Sequence, residues 1–71
     1  MLFRSLQLWR RERSKQDAVP AYVVAHDSVL ADIAHHKPNS MSQLRRIKGM
    51  GPVKLEQYGD EILAIVAAAK S

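Results

Sequence analysis

Apolar and polar positions alternate along this chain at helical rather than strand spacing. From Leu2 to about Asp17 there is no Gly or Pro, and Leu2, Leu6 and Trp9 recur at i, i+4 and i+7. On a helix of about 3.6 residues per turn these three fall within an arc of about 60°, which predicts a first helix facing a core. On the other side Arg4, Leu8, Arg11 and Lys15 line up, a basic stripe holding one exposed leucine. Arg13 interrupts the apolar arc near the helix end, where its stem can cover apolar surface while its head reaches solvent or the terminal carbonyls.

Pro20 closes the first helix, and "VPAYVV" reads as a compact apolar connector carrying Tyr22, the only aromatic residue between Trp9 and Tyr58. Asp27 suits an N-cap. Leu30, Ile33 and Ala34 then predict a second helix over about residues 28–36, which stops because Pro38 disfavours helical backbone at Lys37. Ser40 and Gln43 form an S-x-x-Q capping box for a short third helix, with Met41, Leu44 and Ile47 inward and Arg45 and Arg46 outward. Gly49 and Gly51 allow the positive φ angles of a tight reversal, Pro52 suits the first turn of a fourth helix, and Gly59 marks its end. Asp60 is the expected cap of a fifth helix over about residues 61–70, with Ile62, Leu63 and Val66 inward. The expected fold is all-α: a compact five-helix bundle with a helix-hairpin-helix-like Gly-x-Gly turn, forming one domain over residues 1–71.

Composition adds limits. A chain of 71 residues has room for one core and buries only about 60% of the surface its unfolded form exposes. Eleven Lys and Arg against seven Asp and Glu give a net charge of +4 and a pI of about 9.9, which favours a polyanionic partner. There is no cysteine, so neither disulfides nor thiolate metal ligands contribute, which suits a reducing compartment. The apolar-rich run from Ile62 to Ala69 is far shorter than the roughly 20 residues of a membrane-spanning helix. No charged start, apolar stretch and cleavage site follow one another at the N-terminus. We expect no membrane association, a monomer, and a domain trimmed from a larger protein.

Candidate catalytic chemistry is sparse. His35 and His36 are adjacent, so a helix points them about 100° apart, and no i, i+4 histidine pair exists for a metal. Asp32 can orient His36 as a solvated helix pair. Ser28, Ser40 and Ser42 are accounted for as helix-start residues. No nucleophile accompanies a base, and no phosphate-binding loop of the Walker type is present. We expect no enzyme activity, no cofactor and no metal. The stretch "IKGMGPVK" has two physical readings. It can direct backbone N–H groups of Gly51 and Val53 at a phosphate, with Lys54 adding charge, although Pro52 removes one donor. It can equally be a corner in which Met50 tucks into the core and nothing is bound.

The order and spacing of several elements resemble the HRDC domain, the helicase-and-RNase-D C-terminal module. These are the leading "LF" and "WRRE", "VPAYVV", "DSVL" with "IA", the proline before the third helix, "L-x-x-I-K-G-M-G", "KLEQYG" and the closing "IL". The resemblance covers nearly the whole chain. It implies a five-helix fold and a non-catalytic accessory role in a RecQ-type DNA helicase, a UvrD-like helicase or an RNase D exonuclease. It also implies that the Gly-x-Gly turn is mostly architectural. Implied partners are single-stranded or partly duplex DNA and other domains of the parent helicase, in the cytoplasm at the nucleoid of a bacterium or in a eukaryotic nucleus. The family places a binding residue at the aromatic of its "P-x-Y-V-V" segment, here Tyr22. Arg11, Lys15, Arg45, Arg46, Lys48 and Lys54 are the expected phosphate contacts.

Other readings of the same residues stand beside these. Tyr22 can be packed under the connector, and the cations can form an ordinary solvated face. The exposed Leu8 amid Arg4, Arg11 and Lys15 suits a protein-docking module that regulates its parent through an acidic partner surface. Two positions depart from the family pattern. Ala18 stands where a Gly often precedes "VP", so a different turn is expected there, and Arg13 stands where an apolar residue is usual.

Overall fold

The computed structural model describes residues 1–70, and it is all-α. Five helices follow in order: α1 (Leu2–Asp17), α2 (Ala21–Val24), α3 (Asp27–His36), α4 (Met41–Leu44) and α5 (Pro52–Lys70). The expected number is found, but the chain is divided differently. The connector after Pro20 contains a helical turn, α2, and the two helices expected on either side of Gly59 are one.

Each difference has a local cause. Pro20, with φ −61 and ψ 150, occupies the N-cap of α2, and this turn delivers Val24 and Ala25 to the core. His26, not Asp27, is the N-cap of α3; its carbonyl accepts from the N–H groups of Val29 and Leu30. Asp27 is released to the first turn, where it meets Arg10. Gly59 is buried inside α5. A Cβ there would lie 2.6 Å from the Met41 Cε and 2.8 Å from its Sδ, so this glycine serves close helix approach rather than chain reversal, and Asp60 caps nothing.

Elsewhere the sequence signals hold. The Gln43 N–H donates to Ser40 Oγ at 3.2 Å, although the Gln43 side chain accepts from the Asn39 N–H instead of that of Ser40. Lys37 leaves the helical region by turning left-handed, at φ 49 and ψ 59, ahead of a buried Pro38. Gly49 has φ 97, and a Cβ there would meet Val29 Cγ2 at 2.7 Å. Gly51 does not lie in the left-handed region and has open space around it. Ala18 adopts the left-handed conformation a glycine would favour, with φ 54 and ψ 45. The turn therefore keeps its geometry despite the side chain, at a cost of about 1–2 kcal/mol.

The core gathers Leu6 from α1, Val24 from α2, Leu30 and Ile33 from α3, Leu44 from α4, and Ile62 and Val66 from α5, with Met50 of the glycine turn tucked in beside them. Helix α1 lies antiparallel to α5: Trp9 Nε1 donates to Glu61 Oε1 at 2.9 Å and the Tyr58 hydroxyl donates to Asp17 Oδ2 at 3.1 Å. Trp9 is only partly buried; its ring stands edge-on to Tyr58 at 5.6 Å. Arg13 fits this apolar arc because its guanidinium lies over the Tyr58 ring, 5.3 Å from the centroid, with Asp17 and Glu61 carboxylates at 3.5 and 3.4 Å. A cation between an aromatic face and two anions substitutes for an apolar side chain. At the far end of this helix pair, Leu2 and Phe3 share a groove with Ala69 and Lys70.

Candidate nucleic-acid interface

The seven candidate residues fall into two groups on different elements. Arg11 and Lys15 are exposed on α1, and Arg11 lines a shallow groove against α2 with Arg4, Leu8, Arg10 and Ala21. Leu8 is 50% exposed in that groove. Tyr22, the neighbour of Ala21, is 61% exposed, so its ring is not packed under the connector. Its plane is tilted 31° to the His26 imidazole at 6.0 Å. The second group follows α4: Arg45, Arg46 and Lys48 are exposed, and Lys54 is half-buried in the first turns of α5. Arg46 and Lys48 share a groove with Asp32 and His36 of α3. Neither groove is lined by members of both groups.

None of these six cations forms an ion pair with a carboxylate among the described residues. Their charge is unneutralised within the fold, which is the condition for counterion release on a polyanion. Arg10 and Arg13, from the same α1 sequence, are different. Arg10 donates to the Ala25 carbonyl at 2.9 Å and pairs with Asp27 at 2.6 Å, its side chain only 15% exposed. It clamps α1 to the α2–α3 junction, and sequence reasoning missed it. The available signal was its position one helical turn after buried Leu6, which puts it at the edge of the core.

One titratable group is clearly perturbed. Tyr58 is held above the ordinary tyrosine value of 10.0, first by burial, then by its hydrogen bond and charge interaction with Asp17, against a smaller opposing effect of Arg13. The phenol donates to the Asp17 carboxylate and so ties α5 to the end of α1. Among the described residues no three His, Asp or Glu side chains converge to hold a metal ion, and no helix is long and apolar enough to cross a membrane.

The described residues thus form a small all-helical fold with two separate grooves that carry cations, and with one exposed aromatic side chain, Tyr22. A family model, the HRDC domain, matches residues 1–66, and the chain belongs to that family. It is 30% identical over 70 residues to the ATP-dependent DNA helicase RecQ of Haemophilus influenzae, covering 99% of this chain and 11% of that protein. It is 43% identical over 65 residues to the ATP-dependent DNA helicase UvrD2 of Mycobacterium tuberculosis, covering 92% of this chain and 9% of that protein. The solved structure of D. radiodurans RecQ HRDC domain 3 superposes with a TM-score of 0.95 at 28% identity, over 99% of this chain and 92% of that one. The chain thus spans about a tenth of the length of these helicases, in which the matching segment is a small part.

Proposed function

We propose that the chain is an auxiliary nucleic-acid-binding domain of a RecQ-type DNA helicase. It contacts single-stranded or junction DNA without reading sequence and modulates unwinding of structured substrates; it carries no catalysis itself. The observation that supports this most is the set of six unpaired cations together with an exposed Tyr22. Phosphates on the cations supply salt-dependent affinity, and a base stacked on an aromatic ring adds about 1–3 kcal/mol.

The higher identity to UvrD2 favours a second parent, a UvrD-like helicase, for the same domain function. The exposure of Leu8 between Arg4 and Arg11 favours a protein-docking role in the α1–α2 groove. Binding of fluorescently labelled single strands and forked duplexes across a salt series separates nucleic-acid binding from docking. The first reading expects log affinity to fall linearly with log salt; no binding at low salt leaves the docking role.

A further inference from the structure

His26 occupies the N-cap of α3, where a Ser, Thr, Asp or Asn side chain ordinarily accepts from the first turn, yet its imidazole makes no such bond. The side chain is exposed and meets Tyr22 instead, with ring centroids 6.0 Å apart and planes tilted by 31°. On the residues either side of His26, Arg10 of α1 donates to the Ala25 carbonyl and pairs with Asp27 at 2.6 Å. The carboxylate next to His26 is therefore already engaged. Between Lys15 and Lys37 the sequence has no Lys or Arg, so α2 and its connectors bring no permanent cation to the Tyr22 ring.

Histidine is the side chain whose charge ordinarily changes between about pH 5 and 8. A neutral imidazole offers a ligand of Tyr22 only a second flat ring, whereas the protonated one donates from both ring nitrogens and attracts an anion. We infer that His26 is a second contact for the nucleotide stacked on Tyr22, taking its phosphate as the imidazolium, so that this face grips a single strand more tightly as pH falls. The charged and titratable groups around His26 act in both senses. The Tyr22 ring on α2 and the Asp27 carboxylate favour a cation, while Arg10 on α1 and the N-terminus of α3 oppose one. A bound phosphate adds an anion to this set and favours the charged ring. The inference rests on the nucleic-acid reading above. It adds a residue outside the cations already assigned, and a dependence on pH that permanent charges do not give.

The test measures binding of hexameric oligothymidine, whose bases keep their charge across this range, at about pH 5.5 and about pH 8 with a dye whose emission does not depend on pH. The parent is expected to bind about threefold tighter at the lower pH, the effect of one exposed ion pair. Its log-log salt slope there should be steeper by up to about 0.7, one phosphate contact on a single strand. His26→Gln is expected to match the parent at the higher pH and to lose the gain at the lower. His35→Gln combined with His36→Gln is expected to keep the gain. Because the imidazole is exposed and caps nothing, His26→Gln should melt with the parent. In the unsubstituted chain, the NMR titration of the His26 ring protons should move to higher pH when the oligomer is saturating, since linkage is reciprocal. Equal affinity at the two pH values, a His26→Gln protein that keeps the gain, or a ring titration unmoved by the oligomer overturns the inference while the nucleic-acid reading survives. Absence of binding at both pH values in low salt sinks both.

Discussion

The Tyr58 hydroxyl donates to the Asp17 carboxylate, 41 positions earlier in the chain, and so ties the middle of α5 to the last residue of α1. Replacing Tyr58 with Phe keeps the ring under Arg13 and beside Trp9 but removes this bond, and should cost about 1 kcal/mol. The pH dependence follows from the raised pKa. The unfolded phenol ionises near 10 while the folded one resists, so Tyr58 contributes its full stability below about pH 10 and loses it as pH rises through the higher folded value. Melting temperatures of parent and Tyr58→Phe should therefore converge above pH 10. Parallel curves through pH 11 would show that the bond does not couple to folding.

The two glycines of the turn should respond differently to alanine. Gly49→Ala forces a positive φ on a side chain whose Cβ meets Val29 at 2.7 Å, and should destabilise by about 2 kcal/mol or more. Gly51→Ala meets nothing within 4 Å and should stay within about 0.5 kcal/mol of the parent. Urea midpoints measure both; equal losses would mean that the turn needs glycine at each position.

Ala18→Gly relieves the left-handed strain at φ 54. The gain is partly offset by the greater freedom of glycine in the unfolded chain, leaving a stabilisation of about 0.5–1 kcal/mol. A lower melting temperature for Ala18→Gly would refute the strained turn.

Adjacent arginines on α1 should separate stability from binding. Arg10→Ala removes the clamp on Ala25 and Asp27 and should cost about 2 kcal/mol, with Arg10→Lys recovering only part because an ammonium lacks the planar fork. Arg11→Ala should leave the melting temperature unchanged. The reverse order of effects would contradict the clamp.

On the proposed binding face, Tyr22→Ala should weaken single-strand binding with little change in salt slope, since stacking releases no counterions. Lys15→Ala should weaken binding and flatten the slope by about 0.7. Both side chains lie outside the buried core, so thermal melts should match the parent. If both variants bind as the parent does, α1 and α2 do not form the contact.

The helices and most of the core were legible because they rest on spacing, which Leu6, Ile33 and Leu44 obey without regard to distant neighbours. Ser40 was legible for the same reason: its capping partner lies three residues away. Gly59 was misread as a helix end because one letter encodes two properties, backbone freedom and absence of a side chain. Only the approach of Met41 decides which is in use. Ala18 was misread in the opposite sense, since the rest of the fold holds it in a conformation its own preference opposes. In the candidate site, the residue types were visible but their grouping was not. Whether Arg46 joins His36 or Arg11 depends on how α3 packs against the segment after α4, and whether Arg10 or Arg11 is spent on structure depends on where the Ala25 carbonyl falls.

The groove shared by Leu2, Phe3, Ala69 and Lys70 puts both ends of the antiparallel α1–α5 pair at one pole of the molecule. A force applied to those ends does not slide the two helices past each other. It peels them apart from that pole, breaking the Leu2 and Phe3 contacts first, then Trp9–Glu61, then Tyr58–Asp17. Peeling loads these bonds one after another, so the domain should yield to tension at low force despite its continuous core.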